Sequence, residues 1–117
     1  MPKAWVKERK REYYYRKAKE EKFRSRAAYK LLQAVEKHRF IKHGYVVVDL
    51  GAAPGGWTQV SLRIVGSKGF VLGVDLKPIE PIEPSNVRTI IGDIADSQIT
   101  QNIMEFLPRS ADAVISD

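Results

Sequence analysis

The chain has 117 residues, a formal net charge of +6, 44% hydrophobic and 29% charged residues, and no cysteine. This is enough chain for one domain with one core and an ordinary globular composition, and it leaves no disulfides or thiolate metal sites. No apolar run is long enough to span a membrane and no apolar stretch follows the basic N-terminus, so neither anchor nor signal peptide is expected. The setting reads as cytoplasmic, with no membrane partner.

The charge is unevenly placed. Residues 1–43 hold 15 of the 20 Lys and Arg against 5 acids, whereas residues 44–117 hold 5 against 9. A basic arm on a mildly acidic body suits a phosphate-rich partner, although a solvated, salt-bridged helix is the plainer account of any such run. Tyr13, Tyr14, Tyr15 and Phe23 lie among Arg9, Lys10, Arg11, Arg16, Lys17 and Arg24. Cations interleaved with rings that can stack on bases favour RNA as the partner. The organisation expected is a basic helical RNA-binding arm and helix over 1–43 and an α/β body over 44–117, together one domain.

In chain order, residues 1–22 have few apolar side chains and read as helical or partly disordered. Ser25 is the expected N-cap of the next helix. There Ala28, Leu31, Leu32 and Val35 form one apolar stripe at i, i+3, i+4, i+7, and Lys30 falls almost opposite it, a solvated position on geometry alone. "YVVVDL" (45–50) is a β-branched run without polar alternation, as a strand covered on both faces requires. Residues 57–65 suit a helix with Trp57, Val60, Ile64 and Val65 turned inward, and "GFVLGVDL" (69–76) is a second buried strand. "KPIEPIEPS" (77–85) carries prolines at spacing three and is a loop. "VRTII" (87–91) is a third strand ended by Gly92-Asp93, residues 97–107 are a helix stopped by Pro108, and "DAVISD" (112–117) is a fourth strand. The pattern predicts an α/β fold with a doubly wound, mostly parallel sheet and right-handed crossovers.

In such a sheet, ligands bind at the carboxyl ends of the strands. The first strand ends at Asp49-Leu50 and runs at once into "GAAPGG" (51–56), where glycines allow a sharp turn and close backbone approach ahead of a helix N-terminus. Asp75, Asp93 and Asp117 end the other three strands. Any one of these acids alone reads as a turn cap; four on one edge beside a Gly-rich loop read as a cofactor site, with Asp75 placed to hold ribose hydroxyls. The loop lacks G-x-G-x-x-G, since Ala53 stands where the second glycine would be, and this argues against a nicotinamide oxidoreductase. An acidic edge disfavours a pyrophosphate and suits a cation. S-adenosylmethionine, with its sulfonium, ammonium and ribose, fits. His38 and His43 stand apart from clustered acids, and no metal site is expected.

"SRAAYKL", "VVDLGAAPGGWTQ", "GVDLKPI" and "GDI…D" resemble the FtsJ/RrmJ family of S-adenosylmethionine-dependent RNA ribose 2′-O-methyltransferases, from about Tyr13 to Asp117. The resemblance implies a Rossmann-like class I methyltransferase fold, here with the first four strands and the N-terminal half of the cofactor domain. It implies cofactor contacts from Gly55, Trp57, Asp75, Asp93 and Asp117, and catalytic roles for Lys30 and Asp117 out of a Lys-Asp-Lys-Glu set. The second Lys, implied as general base, and the Glu are expected downstream, so the 117-residue chain alone is expected to be inactive. The implied substrate is a uridine of 23S-type large-subunit ribosomal RNA. Transfer RNA is the alternative, since "YYRKAKEE" also resembles the tRNA-directed branch, and a non-catalytic RNA-binding fragment is the third possibility.

Overall fold

The structure, a computed structural model, describes residues 23–83 and 85–117; the expectation of helix or disorder over 1–22 lies outside the described residues. The most apolar β-branched runs occupy the middle of the sheet, where both faces are covered. Strand β1 (Val46–Leu50) pairs in parallel with β2 (Phe70–Asp75) on one side and with β4 (Ala113–Ser116) on the other, and β3 (Val87–Ile91) continues beyond β2. The resulting order, β3-β2-β1-β4, reverses at β1, as expected of a doubly wound α/β sheet. Strand β4 is an outer strand whose Val114 is 62% exposed. Its start is fixed by Asp112, whose N–H donates to Val46 O at 2.8 Å and whose Oδ2 accepts from Val46 N at 2.8 Å. Arg109 pairs with the same carboxylate at 2.8 Å and reaches Gly44 O at 3.0 Å.

Helix α1 (Ala27–His38) buries Ala28, Leu31 and Val35, the stripe expected from its spacing, and packs on α2 (Gly56–Val65). One apolar cluster joins that stripe to Val60, Leu62 and Val65 of α2 and to Val47, Val71 and Ile115 of the sheet. The start of α1 differs from expectation. Arg26, not Ser25, occupies the N-cap position, and no side chain caps the helix. Ser25 is turned instead against Gly56, where an added Cβ would collide with its Oγ. The C-terminus closes on Arg39 in the left-handed region, its N–H donating to Val35 O at 2.7 Å. Helix α3 (Ser97–Phe106) is capped by Asp96, whose side chain accepts from Gln98 N at 2.9 Å. It stops one residue earlier than expected because Leu107, preceding Pro108, is extended. No residue of α3 is buried, and Met104 and Phe106 are exposed.

Leu31 is 1% exposed and its neighbour Lys30 is exposed, so the two positions should separate cleanly in urea denaturation. Leu31→Ala is expected to cost about 2–5 kcal/mol through the cavity it leaves. Lys30→Ala should stay within about 0.5 kcal/mol. Equal losses would contradict the rotation of α1 described above.

Candidate active site at the carboxyl edge of the sheet

All four strands are parallel, so their carboxyl ends lie on one edge, and the order reverses between β1 and β4. The loop 51–55 leaves β1 at that point. Gly51 has φ +73° with nothing within 4 Å of where a Cβ would stand, and the N–H groups of Gly51 and Ala52 both donate to Val74 O, at 2.8 and 3.0 Å. Here the turn needs a glycine and leaves open space in front of the backbone. The other two glycines serve a different end. A Cβ on Gly55 (φ +121°) would lie 3.1 Å from Ile82 Cδ1 and 3.3 Å from Arg24 Cδ, and Gly56 abuts Ser25. Their neighbours belong to this chain: the segment before α1 presses directly onto the start of α2.

Asp49 is the deepest polar group of the edge. It is 1% exposed, shares the face of Val47 toward α2, and its Oδ2 accepts from Thr58 Oγ1 at 2.7 Å. Burial pushes its carboxyl up to about 6, against the lowering effect of Thr58 and with added repulsion from Asp117 and Asp75. Those repulsions put Asp75 and Asp117 within electrostatic reach of Asp49. Asp75 accepts from Ala53 N at 2.8 Å through Oδ2 and from Lys77 N at 3.0 Å through Oδ1. The Lys77 amide, then that of Ala53, outweigh desolvation and hold its carboxyl below the usual range. Each oxygen keeps a second acceptor position, so ribose hydroxyls can still be bound.

The remaining residues expected at the site are spread more widely. Asp93 follows the outer strand β3, is exposed, and accepts from Ala95 N at 2.9 Å, a turn-forming contact. Trp57 commits its ring to the seam between helices, Nε1 donating to Ala27 O at 2.6 Å. Its backbone N–H, in the first turn of α2, lacks an intrahelical acceptor and is the part free to meet a ligand. Lys30 lies three residues beyond Ala27 on the exposed side of α1, with no hydrogen-bond or ion-pair partner among the described residues. Gly55 is enclosed by Arg24 and Ile82 as above. Two groups escape a sequence reading. Asp49 was visible as an edge acid but not as a buried one; its position within a strand covered on both faces was the available signal. Arg24 donates to carbonyls 30 to 57 residues away, and nothing local announces that.

A groove of about 850 Å³ runs along the outer face of α2, lined by Arg24, Gln59, Arg63, Pro81, Ile82 and Asn86 among others, so that it borders the Arg24 contacts with the proline-rich segment. None of the four strand-end acids lines it. Among the described residues no group of acids and histidines is arranged to hold a metal ion, and no helix is long and apolar enough to cross a membrane.

A parallel sheet with a Gly turn after β1 and acids at the ends of β1, β2 and β4 defines a nucleoside-cofactor-binding α/β domain. The FtsJ-like methyltransferase family model matches residues 23–117, and the chain belongs to that family. It is 51% identical over 118 residues to the ribosomal RNA large subunit methyltransferase E of Methanocaldococcus jannaschii, covering 98% of this chain and 48% of that protein. The protein of the same name from Methanothermobacter thermautotrophicus is 52% identical, with coverage of 100% and 56%. The chain thus spans about half the length of the curated relatives it matches. Among solved structures, one described as a ribosomal RNA methyltransferase from Plasmodium falciparum superimposes with a TM-score of 0.71 at 35% identity, covering 81% of this chain and 56% of that one. The mycinamycin-pathway methyltransferase MycE, at 20% identity and a TM-score of 0.58 over 70% of this chain and 25% of that one, shares the fold. The expected Rossmann-like methyltransferase fold is therefore present.

Asp49 makes stability pH-dependent in a definite direction. Its folded pKa of about 6 lies above the ordinary 3.8, so between those values the folded state holds more proton than the unfolded state. Stability then falls as pH rises through that window and levels off above it, by an amount on the order of 3 kcal/mol. Asp49→Asn keeps an acceptor for Thr58 and removes the ionisation. It should flatten the urea midpoint between pH 4 and pH 6.5 and raise stability at pH 7 by about 1–3 kcal/mol. A variant with the parent's pH slope would place the titration on another group.

Proposed function

We propose that this chain carries the cofactor half of a cytoplasmic S-adenosylmethionine-dependent enzyme that methylates the ribose 2′-hydroxyl of a uridine in large-subunit ribosomal RNA. The observation that supports it most is the parallel sheet edge that carries Asp49, Asp75 and Asp117 toward the ends of their strands, beside the open turn at Gly51. Three carboxylates, with the Lys77 charge acting on Asp75, leave the edge acidic and suit a ligand bearing positive charge and a ribose. The cofactor supplies an activated methyl group, and the tasks left to the protein are alignment and removal of the hydroxyl proton.

In this account Asp75 takes the cofactor ribose and Asp117 faces its cationic portion, with Asp49 buried behind them at its bond to Thr58. Gly55 and the Trp57 amide line the loop side, with Asp93 at the outer rim. Lys30 projects from α1, whose first turn is tied to α2 by the Trp57–Ala27 bond, and holds the target ribose and its developing oxyanion. Asp117 orients the base lysine of the family's catalytic set, which matches no position in these 117 residues. The basic excess and tyrosines of residues 1–43 hold RNA phosphates and bases. The names of the curated relatives support ribosomal over transfer RNA.

The test is methyl transfer from S-adenosylmethionine to large-subunit RNA by the protein at its relatives' full length, followed by mapping of 2′-O-methylated riboses. One methylated uridine is expected, with Lys30→Ala slowing transfer by about 100-fold or more while folding is spared. Methylation of transfer RNA alone would shift the substrate. RNA binding without any transfer would leave the non-catalytic RNA-binding role.

A further inference from the structure

The loop 51–55 and the proline-rich segment after β2 approach one another at the candidate cofactor site, and they are tied together twice. On one side, Asp75 accepts from an N–H of each: Ala53 N at 2.8 Å and Lys77 N at 3.0 Å. On the other, Arg24 donates to carbonyls of each. Nη1 reaches Pro54 O at 3.1 Å and Glu80 O at 2.6 Å, and Nη2 reaches Pro81 O at 2.6 Å. The backbone of Arg24 is itself anchored, its N–H donating to Gln59 Oε1 of α2 at 2.8 Å.

The chemistry of the proline segment explains why an arginine is needed. Pro78 and Pro81 have no N–H and exclude regular pairing, so the exposed carbonyls of residues 80 and 81 are left open to a donor from another element. A guanidinium presents several donors in a rigid plane, so that Nη1 meets Pro54 and Glu80 while Nη2 takes Pro81; an ammonium offers its three donors from one point and cannot reproduce that fork. The close approach also fixes what Gly55 must be, since a Cβ there would crowd both Arg24 and Ile82.

We propose that Arg24 is a positioning residue for the cofactor: with Asp75 it sets the spacing of the two loops between which the nucleoside of the ligand is held. This rests on the cofactor site proposed above. Loss of Arg24 leaves the proline segment held at its Asp75 end alone, so the slot widens and cofactor affinity drops while the core remains.

Two measurements on the protein at its relatives' full length test this. S-adenosylhomocysteine is titrated by calorimetry into the parent, Arg24→Gln and Arg24→Lys, and amide hydrogen exchange is followed in the ligand-free proteins. Both variants are expected to bind about tenfold more weakly, the effect of losing charge-assisted hydrogen bonds. Exchange should quicken at Leu76, Lys77, Ile79, Glu80, Ile82 and Glu83, with β1 and β2 still protected. Parent-like affinity and exchange in Arg24→Gln would overturn the proposal, as would full rescue by lysine. Faster exchange across β1 and β2 as well would make Arg24 a general stabiliser and equally overturn it. If the parent itself does not bind, the cofactor reading fails, while the exchange data still decide whether Arg24 holds the two loops.

Discussion

A carboxylate in the middle of a parallel sheet, with a single hydroxyl for company, is the constraint around which this edge is arranged. Asp49 lies on the central strand, and its partner across the β1–β2 ladder is Gly73. A Cβ at Gly73 would stand 3.1 Å from Thr58 Oγ1 and 3.2 Å from Ala52 Cβ, so the missing side chain makes room for the Thr58 hydroxyl to reach Asp49. That bond in turn sets where α2 begins over the sheet, and with it the course of the loop from Gly51 to Gly55. The arrangement opposes ionisation: burial raises the Asp49 pKa, and two neighbouring acids raise it further. A cationic ligand would offset that repulsion, and this is the physical reason for proposing a sulfonium or ammonium rather than a phosphate at the edge.

Around that centre the loops are held from opposite sides by groups of opposite charge. Asp75 gathers N–H groups and Arg24 gathers carbonyls. Each is fixed by the backbone of both loops, so the spacing of the loops is set before any ligand arrives. Such preorganisation lowers the ordering cost of binding. The glycines of the loop divide the work. Gly51 provides the left-handed turn and the open approach, while Gly55 and Gly56 let the segment ahead of α1 come close to α2.

The sheet was legible because its determinants are local. Val46–Val48 and Val71–Val74 announce buried strands by composition, the Ala28-Leu31-Val35 stripe announces the buried face of α1, and the four edge acids fall where their strands end. What could not be read depends on contacts between distant segments. Ser25 has the chemistry of an N-cap, yet packing against Gly56 decides its role. Trp57 was expected both to pack inward and to meet the cofactor; only the bond to Ala27 shows that the ring is engaged in the helix seam. Asp93 looked equivalent to Asp75, but it follows the outer strand β3 and is exposed, its carboxylate accepting from Ala95 N in a turn. Arg24 sat in a basic run and was indistinguishable there from the residues expected to meet RNA.

The central claim, that the ligand binds at the carboxyl edge between β1 and its neighbours, is tested most directly by amide chemical shifts of the 15N-labelled protein during titration with S-adenosylhomocysteine. Saturating changes are predicted at Gly51, Ala52, Ala53, Asp75, Lys77 and Asp117. Changes confined to Gln59, Arg63, Ser67 and Asn86, with the edge unmoved, would place the ligand in the groove along α2 and contradict the account.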